Sequence, residues 1–227
     1  MAVEHGGLYE LAEAPGYEDA IGGLVLSADA VIAKFRSVTI AFVYRREPLR
    51  STDLDLGSGL IADCWDLRSV DKRDLDDEDP WDPCTPEELD EAKRHVRDRL
   101  CIDQLLDGQP SPQPVPAPPA HYYKQGDVRY APWPDKSDEH MFALVGSDVA
   151  TVAEQRVIAA FVTSAMAVWR QPWALKAGPK SWIVAANVFT WPVGSLETKH
   201  PAPPRPGHLD VKQLAQVASL LASAHEL

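Results

Sequence analysis

Proline limits this chain more than any other residue. The run Gln109–His121, QPSPQPVPAPPAH, and the shorter run His200–His208, HPAPPRPGH, cannot sit inside a helix or a central strand. Proline lacks the amide donor and pushes the residue before it out of the helical region. The first run favours polyproline II and would span about 30 Å at ~3.1 Å per residue. Such a segment becomes ordered by laying its rings on aromatic surfaces, so residues 109–120 are expected to form a docked arm, with Tyr122, Tyr123, Trp81 or Trp133 as its bed. It separates an acidic part, 1–108, from a tryptophan-rich part, 121–227, within what is expected to be one domain or two small intimate ones. No internal repeat is evident in the letters.

Between the prolines the periodicities are mixed. SVTIAFVYRR from Ser37 is rich in β-branched and aromatic residues and predicts a buried strand, as does SWIVAANVFTW from Ser181. GLIADCWDLR from Gly59, GDVRYAP and HMFALVG predict further strands. Ser27 is a candidate cap for a helix over SADAVIAKFR. Thr85-Pro86-Glu87-Glu88 has the form of a capping box with proline at the first helical position, and predicts a helix to about Leu106. Asp210 with Gln213 predicts another at the C-terminus, and the long apolar stretch 148–170 predicts a central helix. Strands and helices without regular alternation point to an α+β fold, a mixed or antiparallel sheet packed with about four helices.

Charge is placed unevenly. The net charge is −12, yet residues 71–107 alone carry 14 acidic and 6 basic side chains, whereas 108–227 carry 9 and 10. An acidic chain repels phosphate and anionic lipid, so no direct nucleic acid and no membrane surface is expected, and a protein partner with a basic surface is. The natural place for that partner is the acidic loop Asp76, Asp77, Glu78, Asp79 and Asp82, stiffened by prolines around Trp81, with Trp133 as a second aromatic anchor. Five tryptophans from Trp133 to Trp191, interleaved with proline, make either a core or a groove. Three cysteines without C-x-x-C spacing and an N-terminus without a basic-then-apolar leader point to reduced thiols and a cytoplasmic location.

Metal chemistry finds no support. The acidic loop fails the calcium-loop pattern, which wants glycine sixth and glutamate twelfth, and His95 and Cys101 point different ways on a helix. No metal and no cofactor is expected. The one enzymatic pattern is STDLDLGSGLIA, Ser51–Ala62. Asp55, Gly57 and Gly59 there resemble the glycine-rich first motif of S-adenosylmethionine-dependent methyltransferases. That resemblance implies a cofactor approaching the Gly-x-Gly backbone. The leading expectation is instead a non-catalytic protein that works through protein contacts, an immunity or inhibitor protein or a subunit of a homo-oligomer or larger assembly such as a virion. The enzyme reading is the alternative.

Overall fold

The structure is a computed structural model; it describes all residues except 1–2, 13–18, 51–52, 77–80, 111, 113, 115–122, 133–138, 166–170 and 194–206. Most of the proline-rich arm (all but Gln109, Pro110, Pro112 and Pro114), Asp77, Glu78, Asp79, Trp133 and Trp169 therefore lie outside the described residues, as does the side chain of Asp76.

A single 12-stranded sheet dominates the chain, and every pairing in it is antiparallel. The first half supplies β1 (Leu8–Leu11), β2 (Ala20–Val25), β3 (Ser37–Arg45), β4 (Asp53–Asp55), β5 (Leu60–Asp71) and β6 (Leu75–Asp76). The second supplies β7 (Asp127–Pro132), β8 (Glu139–Leu144), β9 (Arg156–Thr163), β10 (Ala174–Gly178), β11 (Ser181–Pro192) and β12 (Gly207–His208). Helices are short: α1 (Asp29–Lys34), α2 (Pro86–Arg99), α3 (Ile102–Leu106), α4 (Asp148–Glu154) and α5 (Val211–His225). The α+β expectation of about four helices packed on a sheet is thus corrected to a sheet-dominated fold, with no parallel pairs among the described strands. The expected helix over 148–170 ends at Glu154. Gln155 takes a left-handed conformation (φ 53°), and RVIAAFVT continues as β9. A fully apolar, β-branched run reads equally as buried helix or buried strand, and here the neighbours β8 and β11 decide it.

The strand order β12-β7-β8-β9-β11-β5-β3-β2-β1-β6 reads the same way from both ends inward. The two halves are a structural repeat about a pseudo-twofold axis between β5 and β11, where Arg68 faces Phe189. These two residues are themselves equivalent, since Ile40 pairs with Arg68 and Ala159 with Phe189. A three-residue bulge recurs at one place in both halves. Cys64-Trp65-Asp66 interrupts the β3–β5 register and Ala185-Ala186-Asn187 the β9–β11 register. A bulge leaves ladder amides without partners. The hydroxyls of Ser69 and Thr190 satisfy them across the axis: Val188 N donates to Ser69 Oγ at 3.0 Å, and Leu67 N to Thr190 Oγ1 at 3.1 Å.

The helices obey the same symmetry. Thr85 caps α2 and Asp210 caps α5, each with the predicted capping box. Both helices end on a left-handed residue, Cys101 and Glu226. Each then docks on the other half, with Ser147 N donating to Arg99 O and Ala28 N to Ala224 O. Such head-to-tail contact places a helix C-terminus against the N-terminus of another, where their dipoles attract. Ser27 does not cap α1; its hydroxyl accepts from Thr39 N at 2.8 Å. One core runs beneath both halves and the helices, including Trp65, Leu100, Trp173, Val184 and Leu221. Two further cores, around Phe42 in the first half and Phe142 in the second, remain separate. Among the described residues no helix is long and apolar enough to cross a membrane.

Candidate functional site

Of the residues singled out in the sequence, those described lie in separate places. Asp76 lies in β6, paired with Glu10 of β1, while Asp82 is exposed before α2. Trp81 is half-buried with its ring on Gly22; a Cβ there would meet it at 2.6 Å. It packs against the core and so is not a free anchor. Of the clustered tryptophans, Trp173 and Trp191 are buried core residues. Asp55, Gly57 and Gly59 form the turn between β4 and β5. Asp55 Oδ1 accepts from Gly57 N at 2.8 Å, and both glycines are left-handed (φ 78° and 74°). A strand follows them where a cofactor-binding loop would open a helix. Cys64, Cys84 and Cys101 are not joined in disulfides. Burial pushes Cys84 up to about 11 and Cys64 higher still, which makes both poor nucleophiles. Among the described residues no group of three or more His, Cys, Asp or Glu is placed to hold a metal ion.

The structure instead gathers a polar cluster at one end of the seam between the halves. Asp53 of β4 and Asp63 of β5 are direct cross-strand neighbours. Like charges so placed repel, and the loop after β3 answers with two arginines. Arg46 donates to Asp53 at 2.6 Å and reaches Asp63 at 3.5 Å; Arg50 donates to Asp63 at 2.8 Å. The second half closes the cluster, with Glu154 pairing with Arg50 at 3.1 Å and Arg156 donating to Asp66 in the bulge. Tyr44 donates its hydroxyl to Asp66 at 3.3 Å and lies under the Arg46 guanidinium.

Burial sorts these groups into layers. The side chains of Asp53, Asp63 and Asp66 are 0%, 2% and 3% exposed, while Arg46, Arg50 and Arg156 are 23–29% exposed. Buried carboxylates therefore hold guanidiniums whose outer edges face solvent. Burial alone would raise the Asp53 pKa, but the Arg46 hydrogen bond and the amides of Leu49 and Arg50 outweigh it and hold the carboxyl below the usual range. Burial opposes the charge on Arg46, and Asp53 more than restores it. Fixed, permanently charged guanidiniums with unused N–H groups suit the recognition of phosphate oxygens.

A second polar group sits in the second half alone. Asp127, fully buried, accepts from Arg129 at 2.9 Å and contacts His208 Nδ1 at 3.1 Å. Nearby Asp148 accepts from Gln125 N at 2.6 Å, and burial raises its pKa. These contacts tie the turn before β7 to β12 and α4, and they read as structural.

Sequence reasoning missed the seam cluster because its members lie up to 110 residues apart. One signal was present. Asp63, Asp66 and Arg68 interrupt a strand that must be buried, and charged residues enter a core only in pairs.

No family model and no curated protein matches the chain. Solved structures do resemble part of it. An endoribonuclease in complex with its cognate antitoxin from a mycobacterial species has 17% identity over 44% of this chain and 96% of its own, with a TM-score of 0.38. A MazE-MazF crystal structure from Deinococcus radiodurans has 18% identity over 44% and 98%, with a TM-score of 0.36. The Mycobacterium tuberculosis toxin MazF-mt6 has 13% identity over 40% and 91%, with a TM-score of 0.32. The first of these is named an endoribonuclease and the third a toxin, rather than the non-catalytic immunity, inhibitor or assembly protein expected from the sequence.

Proposed function

We propose that the chain is an enzyme acting on a phosphodiester, with RNA as the substrate class, and that the charged end of the seam is its active surface. The observation that carries this reading is the layering of that cluster, three partly exposed guanidiniums held from behind by three buried carboxylates. Arg50 and Arg156, contributed by different halves, would grip the non-bridging oxygens and stabilise the charge that develops on them during attack. Glu154, 19% exposed beside Arg50, is the most accessible carboxylate of the cluster and would take the proton of a 2′-hydroxyl as its oxygen bonds to phosphorus and the bond from phosphorus to the 5′ oxygen breaks, the departing 5′ oxygen taking a proton from water. Tyr44 would hold Asp66, and through it Arg156, in position. The sequence argument against nucleic acid used the total charge; locally, the acidic excess sits in 71–107, much of it on the exposed face of α2 around Glu87, Asp90 and Glu91. That face, with Asp82, and not the seam, is where a basic protein partner would bind.

The test is incubation of the purified chain with a mixed RNA pool, followed by mapping of new ends, alongside Arg50→Ala and Glu154→Gln. Cleavage that falls at least 100-fold in both variants while their melting temperatures stay within a few degrees supports the reading. Undiminished cleavage in both variants, or none by the wild type, removes it.

A further inference from the structure

The pseudo-twofold axis gives the cluster members on or beside the strands a mate that the strand registers identify. Asp53 corresponds to Ala174, Asp63 to Val184 and Asp66 to Asn187. Arg156, at the start of β9, corresponds to Ser37 at the start of β3, and Glu154 to Phe35. Arg46, two residues past Tyr44, corresponds to Ala165, two past Thr163.

The contacts correspond as well. Where Arg156 crosses the seam to Asp66, Ser37 Oγ donates to Asn187 Oδ1 at 3.3 Å. Phe35, at the place of Glu154, lies 5.8 Å from the ring centre of Trp173. Trp173 is 5% exposed, donates from Nε1 to Ser223 at 3.3 Å, and carries the Lys34 ammonium 5.5 Å from its ring centre.

From this we infer that the seam takes one RNA strand per chain, at the charged end only. The inference rests on the proposed reading of the charged end and specifies its stoichiometry. A strand arriving at the opposite end meets Ala165 and Ser37 where Arg46 and Arg156 stand in the mate, and Ala174, Val184 and Asn187 where the three buried carboxylates brace them. Lys34 there lies over the face of the Trp173 indole. A symmetric seam would hold two strands related by the axis; this one has a single carboxylate-braced set of guanidiniums and so a single strand site.

Native mass spectrometry of the full chain with a 2′-O-methylated single-stranded hexanucleotide, which cannot be cleaved through its 2′ oxygen, reads the stoichiometry without any variant. Binding saturating at one strand per chain is expected. In fluorescence titrations Arg156→Ala should weaken binding at least tenfold, with Arg156→Lys intermediate, while Lys34→Ala and Ser37→Ala stay within about twofold. Two strands per chain, or equal losses from Lys34→Ala and Arg156→Ala, would overturn the single-site inference while leaving the phosphodiester reading intact. No binding of any strand would overturn both.

Discussion

At one end of the seam Arg156 reaches Asp66; at the other Ser37 reaches Asn187 across the same two backbone positions. The backbone at both ends is shared down to the bulge and the hydroxyl that repairs it, yet one end is ionic and the other is packed with aromatic rings. What these ends teach is that the fold asks little of these side chains. The bulge demands an acceptor for one amide, the strand demands a bridge across the seam, and either a guanidinium with a carboxylate or a hydroxyl with an amide provides it. Chemistry beyond that minimum, four carboxylates and three arginines gathered at one end, is what the fold does not require.

Experiments can press on this comparison at several levels. The largest effect is expected in the bulge. Trp65 is fully buried, with its ring 5.1 Å from the Arg99 guanidinium, whereas its mate in the second half is Ala186. Trp65→Ala should cost about 4 kcal/mol in urea denaturation, through lost burial and a cavity that the surrounding sheet cannot close. A cost under about 1 kcal/mol would mean that the first-half bulge tolerates the small residue its mate already uses, and the halves would be more alike than their packing indicates.

Next in size is an acid effect. His225 and Leu100 occupy equivalent places, each the last residue before the left-handed helix end. Burial, only partly offset by its hydrogen bond to Ala185 O, lowers the His225 pKa to about 4 from 6.5. Below about pH 6.5 the unfolded chain takes up a proton that the folded chain refuses. The stability this ring contributes is therefore complete above that pH and lost as pH falls toward 4, by about 3 kcal/mol in all. His225→Leu, which copies the first half, should flatten the decline between pH 6.5 and 4. An unchanged slope would assign the acid sensitivity elsewhere.

The smallest effect is the sharpest test of the symmetry itself. Ser69→Ala and Thr190→Val each remove the hydroxyl acceptor of a buried bulge amide, Val188 N or Leu67 N. Each should cost about 1–2 kcal/mol, and the two values should agree within about 0.5 kcal/mol, because the lost bond is the same one seen from either side of the axis. A difference above about 1.5 kcal/mol would show that the seam is not energetically twofold even where its geometry is.

Local signals in the sequence were reliable where a single residue carries the physics. Thr85 with Glu88 and Asp210 with Gln213 form the capping boxes their spacing predicts, and the strands begun by Ser37 and Ser181 run as β3 and β11. The turn at Gln155 was illegible because a left-handed residue is usually announced by glycine, and none is there. The repeat was illegible for a different reason. Its conserved content is burial and register, so Ile40 matches Ala159 and Arg68 matches Phe189, pairs with no letters in common. The candidate site lay beyond reach because its ion pairs join the β3–β4 loop to the start of β9, a pairing that only the seam creates.

The seam joins two parts of one polypeptide, and this changes how the molecule responds to dilution and to substitution. Two separate copies meeting through such a face would come apart as their concentration fell; here the effective concentration of one half about the other is fixed by the chain and does not fall with dilution. In a pair of identical copies every residue change also appears twice and must suit both ends of the axis at once. In this chain each change appears once, so Ala174 can be apolar where Asp53 is charged without either one setting the identity of the other.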